Sequence, residues 1–220
     1  MIRHSSTWLA AAVSLLPACT DFDLPSALTR EQIIAVRSDP AALQPGTRAK
    51  LDAVIAGPDG LIDDAELTWS IDPPIAGASV EIDDDGGAWL AIDQAVGPGA
   101  VVVALEVETA SGPITARKTV EVGDDLRANP GGMGLRAAGE PIGDELSVSP
   151  GADVTLSASI ASVDDPQISW YATVGEIERF RHNPTELLAP DEPADGWLIA
   201  VVRDGVGGVS WETRPLIVGP

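Results

Sequence analysis

Few side chains in this 220-residue chain have the chemistry for catalysis. There is one thiol, Cys19, and two imidazoles, His4 and His182. Thiol–imidazole dyads and histidine metal clusters need more than this within one site. His182 lies in Phe180-Arg181-His182-Asn183-Pro184, a loop-like stretch, and no Gly-x-Ser-x-Gly elbow occurs to supply a serine partner. Carboxylates are plentiful, 34 Asp plus Glu, but no pair stands out from that background as a glycosidase acid and base. Asp63-Asp64, Asp83-Asp84-Asp85, Asp124-Asp125 and Asp164-Asp165 lack the alternating spacing of a dedicated calcium loop and read as solvated turn acids. The expectation is no catalytic residue, no metal site and no cofactor. Six tryptophans against one tyrosine and two phenylalanines leave a different chemistry open, the stacking of sugars on exposed rings. Trp89 and Trp211 are the candidates for ligand binding, because each falls out of phase with the apolar residues beside it. Either ring faces outward, or a bulge near Pro215 or an interdomain contact resets the pattern.

Cys19 belongs to a different kind of chemistry. Arg3 and His4 form a weakly positive head, Trp8 to Leu16 is apolar or small, and Leu16-Pro17-Ala18 precedes the thiol. The apolar run would span roughly 14 Å as helix, about half a bilayer core, too short for a permanent transmembrane segment. The segment resembles a bacterial lipoprotein signal, whose lipobox wants Leu, a small residue and Cys at the places of Leu16, Ala18 and Cys19; Pro17 departs from the usual small residue. That resemblance implies removal of residues 1–18, lipidation of Cys19 and a permanent membrane anchor. Thr20 after the cysteine is compatible with transport to an outer membrane. Residues 19–30 are then a tether, leaving the first domain close to the membrane and the second projecting beyond it.

The formal charge is −21, and residues 1–18 contribute only the cation Arg3 to it. Such a surface repels phosphate backbones, so nucleic acid is a poor partner. With Cys19 lipidated no disulfide is possible, and the core rests on the 45% of residues that are hydrophobic. The 22 glycines and 18 prolines fall between short β-rich runs, the pattern of an all-β sandwich.

The chain also repeats itself. Pro45-Gly46 and Pro150-Gly151 each precede an alternating strand, and each copy continues to a tryptophan-centred strand, Leu67-Thr68-Trp69-Ser70-Ile71 and Ile168-Ser169-Trp170-Tyr171-Ala172. Both tryptophans lie on the apolar parity and are expected in the core. The closing hairpins, Val101 to Gly123 and Trp197 to Gly219, overlay without a gap at an offset of 96. Residues 31–123 form one sandwich, with strands expected near 33–37, 48–56, 66–71, 78–83, 87–92, 100–108 and 113–122. Residues 133–220 form another, with strands near 145–148, 152–160, 167–173, 185–189, 196–203 and 208–218. The apolar-poor stretch 124–132 is the linker and expected hinge.

On the lipobox, the Pro-Gly turns, Trp69 and Trp170, and Val202 to Gly208 of the last hairpin, the chain resembles bacterial immunoglobulin-like and PKD-like domains of Gram-negative outer-membrane lipoproteins. The resemblance implies tandem immunoglobulin-like β-sandwiches in the bacterial cell envelope. The expected function is a lipid-anchored, non-enzymatic interaction or structural module with an envelope protein or polysaccharide as partner. The alternative is a carbohydrate- or peptidoglycan-binding module using exposed tryptophans.

Overall fold

The computed structural model describes residues 26–219, and these are all β, with no helix long and apolar enough to cross a membrane. The expected lipidation site Cys19 and the expected signal 1–18 lie outside the described residues. The first half holds β1 (Gln32–Asp39), β2 (Ala42–Leu43), β3 (Arg48–Gly57), β4 (Gly60–Leu61), β5 (Leu67–Ile71), β6 (Ala78–Ile82), β7 (Ala88–Ile92), β8 (Gly99–Val107) and β9 (Ile114–Val122). The second holds β10 (Met133–Ala137), β11 (Glu140–Pro141), β12 (Leu146–Val148), β13 (Asp153–Ile160), β14 (Gln167–Ala172), β15 (Glu176–Ile177), β16 (Thr185–Leu188), β17 (Ala194–Arg203) and β18 (Val209–Val218).

Both halves use one topology. In the first, β1-β3-β7-β6 faces β2-β9-β8-β5; in the second, β10-β13-β16-β15 faces β12-β18-β17-β14. Setting aside the short strands β2, β4, β11 and β12, each is a first-second-fifth-fourth sheet against a third-sixth-seventh sheet, the seven-stranded immunoglobulin arrangement. A short strand (β2 or β12) adds in parallel to the last strand of each half. The fold is therefore a tandem of immunoglobulin-like sandwiches.

Alternation builds each core. Val101, Val103, Leu105 and Val107 of β8 point inward with Val120 and Val122 of β9. Trp170 is fully buried at the centre of the second core, its indole N–H without an acceptor among the described residues. Trp69 differs from expectation: it is half-buried, because β5 is an edge strand whose Leu67, Thr68 and Ser70 are exposed.

The gap-free overlay of the closing hairpins also needs correction. β8 and β9 pair Val107 with Ile114, whereas β17 and β18 pair Arg203 with Val209, so the second turn is one residue shorter. Val103 corresponds to Leu198 rather than Ile199, an offset of 95 along β17, while Val120 still corresponds to Leu216. A one-residue slip exchanges the faces of a strand. Here the slip was hidden because Leu198 to Val202 is buried on both faces.

Candidate functional site at the junction of the two sandwiches

Leu198, Ala200 and Val202 fill the second core, and the intervening Ile199 and Val201 point away from it. Those outward residues join Val209, Leu28, Ile34, Ala35, Val54 and Ala56 in a separate apolar cluster, with Trp211 and Tyr171 packed at its margin. The outer face of the β17–β18 sheet is thus a second core, roofed by β1 and β3 of the first sandwich. Full burial of Ile199 and Val201 stabilises the junction by roughly 1.5–3 kcal/mol each. Gly60, which opens β4, lies close against the second sandwich: it holds φ +125°, and a Cβ there would stand 3.2 Å from the Trp197 ring.

Polar contacts pin the rest. The Asn129 amide donates to the Ser38 carbonyl at 2.8 Å and its oxygen accepts the Val209 N–H at 2.9 Å. Ser210 Oγ donates to the Pro130 carbonyl at 2.6 Å. The Arg127 and Lys118 side chains donate to the carbonyls of Val206 and Gly207 at the tip of the β17–β18 turn. Arg203 donates to the Ile34 carbonyl at 3.3 Å, and the Arg37 guanidinium lies 4.2 Å from the Trp211 ring centroid while bonding Asp52. The expected hinge at 124–132 is corrected by these bonds. Arg127 and Asn129 are anchored on both sides and Pro130 on the second, because the polar atoms of this apolar-poor segment find partners across the junction.

The tether assignment changes as well. Residues 26–28, at the end of the expected 19–30 tether, dock on the second sandwich: Ala27 bridges Ala172 of β14 in parallel, Ser26 Oγ donates to the Ile177 carbonyl at 3.2 Å, and Leu28 enters the junction cluster. Ser26 and Ala27 therefore sit on the second sandwich and not on the first.

Beside the apolar cluster the roof ends and a cleft opens. One cavity of about 440 Å³ lies between β1, β9 and the 205–208 turn, with Lys118 and Arg203 in its wall. A second, of about 720 Å³, continues over β14, lined by Ser169, Tyr171 and Arg181. The two share Gln167 and Arg203. No Asp or Glu lines either cavity among the described residues. Burial pushes the Lys118 ammonium below its ordinary pKa; Asp204 opposes that shift, and Arg127 and Arg203 reinforce it.

The tryptophans singled out by their phase sit apart. Trp89 faces outward between Lys50 and Glu81, as its parity required, but Arg48 lies 4.3 Å from its ring centroid and its indole N–H donates to Asp83 at 2.9 Å. That bond, followed by the Gly87 N–H, holds the Asp83 carboxyl below its usual range. Trp211 belongs to the interdomain contact; β17 and β18 pair without a bulge at Pro215. Its ring also borders a groove of about 320 Å³ with Asp52, Asp63 and Thr213. His182 sits in an exposed turn, and no group of three or more His, Cys, Asp or Glu is arranged to hold a metal among the described residues.

Lys118 and Arg203 were not anticipated. Their signals were present: Lys118 occupies the inward parity of Ile114, Ala116, Val120 and Val122, and the run Leu198 to Val202 has no polar alternation. A lysine on a core parity and a strand apolar on both faces each call for a partner beyond the local sheet.

No family model and no curated protein matches the chain. Among solved structures, a chimeric titin Z1Z2 functionalised with an exogenous decorin peptide is 16% identical, covering 88% of this chain and 99% of its own, with a TM-score of 0.29. The N-terminal Ig1-2 module of the Drosophila receptor protein tyrosine phosphatase DLAR is 13% identical over 86% of this chain and 99% of its own, at a TM-score of 0.33. Scores of this size carry no conclusion, and the immunoglobulin-like fold stands on strand order and pairing.

Proposed function

We propose that this chain is a lipid-anchored, non-enzymatic interaction module of a bacterial envelope, acting as one two-sandwich unit. The lipobox-like run ending at Cys19 supports the anchor and its outer-membrane destination. The observation that carries the module reading is the junction, where the linker, the β17–β18 turn and residues 26–28 are all fixed by contacts between or onto the sandwiches. With an acyl anchor at Cys19, the stretch up to Ser26 spans at most about 25 Å, so the second sandwich is the membrane-proximal one. Partners, an envelope protein or polysaccharide, then meet the first sandwich, whose edge strands β5 and β6 leave Leu67 and Ile82 exposed. The acidic surface keeps the pair off anionic lipid and nucleic acid.

Metabolic labelling with a fatty-acid probe tests the anchor: label present in the natural sequence and lost in Cys19→Ser supports it, and label absent from both ends it. Crosslinking from intact envelopes tests the module. Recovery of one partner above the Cys19→Ser control supports it, and recovery of none counts against it.

The groove beside Trp211 favours a second reading, glycan binding, over the same reading at Trp89. It predicts a tryptophan fluorescence shift with cell-wall glycans that disappears in Trp211→Ala.

A further inference from the structure

The cleft beside the junction has the wrong charge for this protein. The chain carries 34 acids against 13 Lys plus Arg, yet none of the acids lines either cavity among the described residues. Of its cations, Arg117 pairs with Asp72, whereas Lys118, Arg181 and Arg203, like Arg48, Lys50 and Arg136 elsewhere, form no ion pair within 4 Å among the described residues. Arg181 is exposed and packs 5.0 Å from the Phe180 ring centroid, Arg203 spends one bond on the Ile34 carbonyl, and Lys118 spends one on Gly207. A guanidinium has five N–H donors and an ammonium three, so each keeps donors to spare.

The neighbouring polar groups are equally uncommitted. Gln167 and Ser169 point with Tyr171 to the outer face of β14, beside Arg203 on the adjacent strand, and neither side chain makes a hydrogen bond among the described residues. Ser169 is only 6% exposed. Gln167 is exposed and Ser169 lines the cavity wall, so both are free to donate into one space of ligand size. Removing cations from carboxylate partners while lining a concave wall with amide and hydroxyl groups is the arrangement that binds an anion against a repulsive background.

We propose that the cleft running from the junction over β14 binds an oxyanion, a carboxylate or a phosphate carried by a polar, sugar-sized ligand, with Arg203 and Arg181 as its charged contacts and Gln167 and Ser169 as neutral donors. Lys118, deeper in the wall, supplies field and holds the turn that closes one side. The Tyr171 ring offers the body of the ligand an apolar surface.

The test is a titration of the full-length, isotope-labelled protein followed by amide resonances, with galacturonate, inorganic phosphate and neutral galactose as probes. Galacturonate or phosphate should shift the amides of Gln167, Ser169 and Arg203 saturably, and the tighter of the two identifies the source of the oxyanion. Galactose should shift them far less. Arg181→Gln, an exposed change that leaves the junction intact, and Arg203→Gln should each weaken binding about ten-fold, the loss expected for one charge-assisted hydrogen bond. The proposal is overturned by the absence of saturable shifts with either anion, by shifts scattered over the surface, by equal response to galactose, or by Arg181→Gln binding as tightly as the natural sequence.

Discussion

Trp69 and Trp170 occupy the same place in two copies of one plan, yet only Trp170 is sealed from solvent. The difference lies outside their own strands. β14 receives the Phe180 carbonyl on the Trp170 N–H at 2.7 Å, and residues 26–28 dock at its end, whereas β5 has no strand on its outer side. The last hairpins repeat the lesson. On the outer face of the first, Ala104 and Glu106 look toward solvent; at the corresponding places in the second, Ile199 and Val201 are wholly buried under the first sandwich. The same backbone plan is thus made into an open copy and a packed copy by what lies against it.

Truncation of the two tryptophans should show the largest contrast. Trp170→Ala removes a fully buried indole and should cost roughly 3–5 kcal/mol, enough to unfold a marginal domain; Trp69→Ala should cost about half of that. Urea unfolding of both variants checks this, and equal losses would mean that the β5 edge is covered after all.

A charge swap probes the outer faces next. Val201→Glu buries a carboxylate in the apolar cluster of the junction and should cost about 3 kcal/mol. Glu106→Val, the reciprocal change at the matching place in β8, should move stability by about 0.5 kcal/mol or less in either direction. If Val201→Glu proves as mild as Glu106→Val, the sandwiches do not stay together in solution.

How far all this could be read in advance depends on which atoms a pattern reports. Alternation along β8 and β13 announces one wet face and one dry face, so the strands, the sandwiches and the inward Trp170 were legible. The junction was not, because a run such as Leu198-Ile199-Ala200-Val201-Val202 says that both faces are covered without saying by what. The same silence misplaced the overlay of the closing hairpins by one residue along β17. Linker composition misled for a related reason: few apolar residues in 124–132 suggested a hinge, but Asn129 works through its amide, and its partners Ser38 and Val209 are far away in sequence. The cleft needed the junction first, since Arg203 and Lys118 come from different sandwiches.

The linker can be tested on that amide alone. Asn129→Ala leaves the Ser38 carbonyl and the Val209 N–H without their partner and should cost roughly 1–3 kcal/mol. A hinge residue in solvent would cost nothing measurable, so an unchanged urea midpoint would restore the hinge.

The smallest effect expected is the most specific to the junction. Lys118 sits on the inward parity of β9 with 7% exposure, and burial lowers its pKa from the ordinary 10.5 despite the nearby Asp204. Between the lowered value and 10.5, the unfolded chain binds this proton more fully than the folded chain does. Stability then rises with pH through that window and is level below it. Other groups also titrate over the range, so the comparison must be with Lys118→Met, which keeps the stem and removes the charge. The urea midpoint of the natural sequence should gain on that of Lys118→Met as pH climbs toward 10.5, because deprotonation relieves the cost of a buried ammonium. The corresponding place on β18 is Arg214, whose guanidinium pairs with Glu212 at 2.8 Å, a partner that Lys118 lacks among the described residues. A midpoint difference between the natural sequence and Lys118→Met that stays constant or shrinks with pH would mean that the Lys118 ammonium is solvated, and that the 205–208 turn is not closed over it.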